Sequence, residues 1–314
     1  MTRTGLVRRV GGHGVGPPTR RREALSLSVS LLVPILFNGV SLSAIYILVA
    51  LGFTLVFGIM RVVNFAHGEF AMMGGFWLLF FLDRLQLTYW LALPLAAVMV
   101  GVSSLLPEQL VFRRLYGQEL PSMIAALGLS VVIAEGAVIL FEVHERNVPT
   151  PFQALIHIGG FTFPEDRLIV MAVALATLAA FWVFVRSTRI GLALRTVAQD
   201  REIAEAQGIN TRATYRITFF LATAMAGLGG ALFAQIYALS PYMGQQPLIK
   251  AFIIVIIGGL GSVPGAALGG VLLGMSESFL NTFFGASVAQ FASFGAIILL
   301  LVLRPWGLLG RPEG

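Results

Sequence analysis

Four histidines, one lysine and no cysteine leave this chain few groups able to make or break covalent bonds. Without cysteine there are no disulfides, zinc–thiolate sites or thiol nucleophiles. Lys250, the single lysine, does not follow the G-x-x-x-x-G spacing of a phosphate loop, so the chain is not itself a P-loop ATPase. The histidines fall at positions 13, 67, 144 and 157, and none has a nucleophile beside it in an apolar segment. A lone His67 beside Glu69 is not a metal site, and no catalytic residue is assigned. What remains is charge in unusual places. The stretch GLALRTVAQDREIAEAQGIN (191–210) holds Arg195, Asp200, Arg201, Glu202 and Glu205. Asn64, His67 and Glu69 interrupt apolar sequence within 61–70, and Glu135 and Glu277 lie inside otherwise apolar runs. Carboxylates in such runs are costly in a bilayer, and either line a solute path or are structural, hydrogen-bonded to facing helices or placed near the external interface. Both readings stand for Glu135 and Glu277, with Gln235 and Asn281 as weaker candidates.

The elements that carry these residues follow from composition. The 314 residues are 57% hydrophobic and 11% charged, with a mean hydropathy of +0.86. Soluble domains carry roughly 25% charged residues. Residues 24–60 and 168–185 contain no charged side chain, and about 20 apolar residues suffice to span a bilayer. The fold class expected is an all-α polytopic membrane protein. Apolar segments fall near 31–59, 68–82, 89–106, 121–141, 168–186, 216–237, 249–262, 264–283 and 286–303, giving eight or nine transmembrane helices. Two are short or broken: 68–82, and 249–263 with its Gly258, Gly259, Gly261 and following Pro264. The polar gaps are too short to bury a core, so 26–310 reads as one membrane domain.

Charge orients the domain. The net charge of +6 reads as the positive-inside rule, not as nucleic-acid binding. Six arginines in the 186–216 loop, with Arg113, Arg114, Arg304 and Arg311, place those segments inside, and the acidic 142–167 loop lies outside. The arginines of the Arg/Gly/Pro-rich tail 1–25 conflict with this count. Three explanations stay open: a short extra crossing over 24–38, an external or disordered tail, or an upstream start codon.

The stretch from Asp200 to Gln207 holds no Gly or Pro; Asp200 can cap a helix start and Gly208 stop it. On spacing alone this is a solvated amphipathic loop helix. The sequence Glu202-Ile203-Ala204-x-x-x-Gly208-Ile209 resembles the E-A-A-x-x-x-G loop of ABC importer permeases, with Ile203 in place of the first Ala. In that family the loop forms a coupling helix docked in a groove of the cytoplasmic ATPase. The resemblance implies this role for Asp200, Glu202, Ala204, Glu205, Gly208 and Ile209, within 187–214. A narrower likeness follows. NGVSLSAIYILVALGFTLVFGIMRVVNFAHGEFAMMGG (38–75), GINTRATYRITFFLATAMAGLGGAL (208–232), KAFIIVIIGGLGSVPGAALGG (250–270) and RPWGLLGRPE resemble branched-chain amino acid ABC permeases. The likeness runs from about residue 36 to the C-terminus and leaves 1–35 outside.

That family implies a bacterial inner-membrane permease subunit moving leucine, isoleucine or valine, or amides, urea or aromatic acids as some relatives do. It implies no cofactor on this chain, with ATP and Mg on a partner ATPase. The implied partners are a second related permease, two ATP-binding cassette subunits and a periplasmic substrate-binding protein. A secondary transporter is the competing reading, and it would need an intramembrane coupling-ion site.

Read from residues alone, Asn64 can cap the helix after it, and Glu69 near its start is favoured by the helix dipole. His67 is placed at a membrane edge. The stretch is either a polar turn at the inner face or a broken helix near the path. Interrupted segments at 61–82 and 250–283 suggest internal repeats flanking a pathway. The run 258–262 lacks lysine and reads as close helix packing. Gly265/Gly269, Gly270/Gly274 and Ala222/Ala226/Gly230 have the small-residue spacing of packing surfaces.

Overall fold

The computed structural model describes residues 20–304 and 307–309; residues 1–19, and hence most of the 1–25 tail, lie outside it. Apolar runs become helices because lipid offers the backbone no hydrogen-bond partner, so each N–H and C=O must be satisfied within the segment. The helices are α1 (Arg20–Met60), α2 (His67–Asp83), α3 (Tyr89–Leu110), α4 (Glu119–Phe141), α5 (Glu165–Ser187), α6 (Arg189–Gln199), α7 (Arg201–Ala206), α8 (Thr211–Ile236), α9 (Gln245–Gly258), α10 (Val263–Phe284) and α11 (Ala286–Leu303). Among the described residues, six (α1, α3, α4, α5, α8 and α10) are long and apolar enough to cross a membrane. The helices α2, with 17 residues, and α9, with 14, are shorter. Helix α1 runs unbroken through 24–38, which removes the separate short crossing.

Among the described residues, one hairpin departs from all-α. Strands β1 (Leu155–Ile158) and β2 (Phe161–Pro164) form an antiparallel hairpin. Its two-residue turn is Gly159–Gly160, with φ of +58° and +86°, the conformation a tight hairpin demands and glycine supplies freely. Sequence reading treated 142–167 only as an acidic loop.

Helix α1 lies antiparallel to α10, with Gly274 against Ser43 and Gly270 against Ile47. Helix α9 lies antiparallel to α10, with Gly258 against Gly265 and Gly269 against Ile254. Helix α3 lies antiparallel to α8: Tyr89 donates to Gln235 at one end, Thr223 to Ser104 midway, and Glu108 approaches Arg216 at the other. The spaced glycines thus seat helices of this same chain. Helices α1 and α8 form the buried centre, whereas α4 and α5 are peripheral and α4 presents Val132, Ile139 and Leu140 outward. The bundle has two ends, one carrying α7 and the other the hairpin.

Candidate functional site

At the α7 end, local signals build a compact projection. Asp200 is extended, and its Oδ1 accepts from the Ile203 N–H at 2.9 Å, capping α7. Gly208, at φ +81°, closes the helix: its N–H donates to the Glu205 carbonyl and that of Ile209 to the Ala204 carbonyl, each at 3.0 Å. Ala204 is buried beneath the turn while Glu202 and Ile203 face outward. Glu205 accepts from Thr211 Oγ1 at 2.8 Å and from Arg201 Nε at 3.0 Å. The Thr211 bond, then the Arg201 bond, hold its carboxyl below the usual range. Bonding to Glu205 in turn raises the Arg201 guanidinium.

From this projection a line of side chains runs into the bundle. The Arg201 guanidinium lies over the Tyr215 ring at 5.7 Å, and Tyr215 meets Tyr116 edge-on at 4.8 Å. The Tyr116 hydroxyl donates to Glu108 Oε1, and Glu108 Oε2 lies 3.8 Å from Arg216 Nε. Burial, then the bond to Glu108, raises the Tyr116 phenol above its usual range. Glu108 is 1% exposed, so α7 is tied through α8 to a buried carboxylate on α3. Sequence reading missed Glu108, Tyr116 and Tyr215. The available signal was a carboxylate closing one apolar run and an arginine opening another, with nothing linear to join them.

The second polar group lies deeper than its sequence position suggested. After α1 ends at Met60 the chain folds back, so that His67 sits level with Val49, whose carbonyl pairs with its Nε2 at 3.0 Å. Val49 is eleven residues before Met60, about 16 Å along the helix. His67 is therefore not at an edge but a buried link between α1 and α2, edge-on to Phe53 at 5.6 Å. Asn64 does not cap α2: that position is Ala66, without a side-chain cap bond, and Asn64 Oδ1 accepts from the Ala66 N–H at 3.1 Å. Glu69 occupies the first turn of α2, accepting at Oε1 from Ser130 Oγ at 3.3 Å.

Here the two interrupted segments meet. A Cβ at Gly68 would lie 2.2 Å from the Gly244 carbonyl oxygen, so the N-terminal ends of α2 and α9 are in backbone contact. Helix α2 runs toward the hairpin end, where Phe76 stacks on Phe141 at 4.2 Å. Helix α9 runs toward the α7 end, closing near Gly261, which abuts Gly58. Each N-terminus carries a partial positive charge of about half a unit. The Glu69 carboxylate, beside both, has the sign that complements them.

Glu277 and Glu135 part company. Glu277 on α10 accepts from Lys250 Nζ on α9 at 2.7 Å, and the two side chains are 15% and 10% exposed. The pair borders a cavity of about 210 Å³ among α1, α8, α9, α10 and α11. Glu135 faces outward from α4, with no hydrogen-bond partner among the described residues.

The family description "Branched-chain amino acid transport system / permease component" matches residues 35–303. The chain belongs to this family. It is 31% identical over 293 residues to the high-affinity branched-chain amino acid transport system permease protein LivH of Escherichia coli (strain K12), covering 88% of this chain and 95% of that one. It is 31% identical over 298 residues to BraD of Pseudomonas aeruginosa, another permease protein of such a system, with the same coverage. It is also 26% identical over 308 residues to the permease protein LivM of E. coli K12, covering 87% of this chain and 70% of LivM. The chain is thus a multi-pass transport permease and not an enzyme. The match opens at Ile35, the first buried side chain of α1 among those described.

Proposed function

We propose that this permease is one of two related membrane subunits of an ABC importer for leucine, isoleucine and valine in a bacterial inner membrane. The observation that carries this is the family match over nearly the whole described chain, joined to a capped, outward-facing α7 where the E-A-A-like sequence falls. Lacking a phosphate loop, the chain receives work mechanically: two ATP-binding cassette subunits bind ATP and Mg, and α7 seats in one of them. A periplasmic binding protein delivers solute at the hairpin end. Nine crossings satisfy this sidedness, formed by α1–α5 and α8–α11, with the short α2 and α9 each completed by non-helical chain. The glycine seams are occupied internally, so the second permease, for which LivM is the type of relative, packs on the outward face of α4 around Glu135. A carboxylate there has a protein neighbour, not lipid.

Single cysteines at Gln199 and Glu135, placed in this cysteine-free chain, test the arrangement in the assembled importer. Position 199 should react only from the cytoplasmic side and cross-link to a P-loop ATPase, and position 135 should cross-link to a second permease, in complexes that take up leucine. Labelling of 199 by an impermeant reagent from the periplasm overturns the topology. Uptake confined to amides, urea or aromatic acids overturns the solute.

A further inference from the structure

We propose that the cavity beside Lys250 and Glu277 is a docking site for the zwitterionic head of an amino acid, with Lys250 taking the carboxylate and Glu277 the ammonium. This rests on the importer reading above and names the residues through which solute would pass. The ion pair is not needed to hold α9 on α10, because Gly258 on Gly265 and Gly269 on Ile254 already bring the two backbones together. A buried pair recovers its desolvation cost poorly, and apolar residues of similar size commonly do as well or better. Within a membrane domain the cost is higher still, and ionisable groups there concentrate at solute sites.

The surroundings fit a ligand. The cavity, at about 210 Å³, greatly exceeds the ~10–15 Å³ one buried water needs. Its wall includes both charges, the amides of Asn281 and Gln290, and the apolar Ile249 and Phe233. Helix α9 spans about 21 Å against about 33 Å for α10. It therefore begins short of α10's far end, with Lys250 in its second turn and the cavity beside it. The chemistry is specific. When a zwitterion enters, its carboxylate replaces Glu277 at Lys250 and its ammonium replaces Lys250 at Glu277. Each protein charge exchanges one partner for another of the same sign, with no proton moved and no net charge added. A simple carboxylate would leave Glu277 facing an anion, and a neutral amide would leave the pair closed. The Tyr46 ring, 5.8 Å from Lys250 Nζ, steadies the ammonium throughout.

The test uses the full importer in proteoliposomes, reading subunit stoichiometry, basal ATP hydrolysis and leucine uptake. Ile249→Trp fills the cavity and leaves the pair intact. The double variant Lys250→Met/Glu277→Leu removes both charges without stranding either. Both should assemble and hydrolyse ATP normally, with uptake lowered about tenfold or more, the scale of one lost charged hydrogen bond. Wild-type uptake in the double variant makes the pair a mere clasp between helices and overturns the site. Wild-type uptake in Ile249→Trp takes the cavity off the path and does the same, even if the double variant fails to assemble. A wild-type complex that moves urea or an amide but not leucine overturns the importer's solute instead, before any variant is read.

Discussion

Gly208→Val isolates the α7 loop from the rest of the protein. Gly208 sits at φ +81°, and a Cβ placed there meets nothing within 4 Å. The Cβ of the new side chain therefore meets no tertiary neighbour, and the main cost is that of holding an L residue in the left-handed region. That cost is about 1–2 kcal/mol for a simple side chain and up to about 3 for strained backbone of this kind. Helix α7 has six residues, too few to persist without its ends. Of its closing bonds, the one from Ile209 N–H to the Ala204 carbonyl depends on this φ. A strain of 1–3 kcal/mol should lower the population of the closed loop by about 5- to 150-fold. The membrane helices carry none of this strain. Uptake and binding-protein-stimulated ATP hydrolysis, measured per assembled complex, should fall in the order Gly, Asn, Ala, Val, since Asn tolerates this conformation best among non-glycine residues. Equal coupled uptake in the wild type and the three variants would refute the requirement for a closed α7.

A Cβ at Gly74 would lie 1.9 Å from the Gly227 carbonyl oxygen, so Gly74→Ala must push α2 off α8; it should lower the midpoint of thermal unfolding by the equivalent of about 1–3 kcal/mol. Gly128→Ala on the open face of α4 is the control and should be neutral or slightly stabilising, as differential scanning of detergent-solubilised protein can check. Because the Glu205 carboxyl is held below its usual range, its contribution to the α7–α8 corner is complete above the ordinary carboxylate range. It is lost as pH falls through the depressed folded value. Hydrogen exchange at the Gly208 and Ile209 amides should follow that profile in the wild type, and Glu205→Gln should flatten it.

Much of this protein was legible in one dimension. Segment 121–141 became α4 at Glu119–Phe141, and 264–283 became α10 at Val263–Phe284, because a long apolar run in lipid, even with one carboxylate in it, has no alternative to a helix. Helix α7 was legible for a different reason: its cap at Asp200 and stop at Gly208 act within three or four residues. Everything that depended on which helix faces which was hidden. Lys250 and Glu277 are 27 positions apart, and Glu108 and Arg216 belong to different helices, so neither pairing leaves a local pattern. The depth of His67 followed from a chain reversal after Met60 that polarity alone read as a membrane edge. The glycine spacings announced close packing without naming the partner, and only the fold showed Gly274 on Ser43 and Gly74 on Gly227. In water a buried face is marked by being apolar. Against lipid tails, which are as apolar as leucine, the inner and outer faces of α4 or α10 carry no such contrast, so helix contacts are set by shape and by a few polar pairs that exist only in three dimensions.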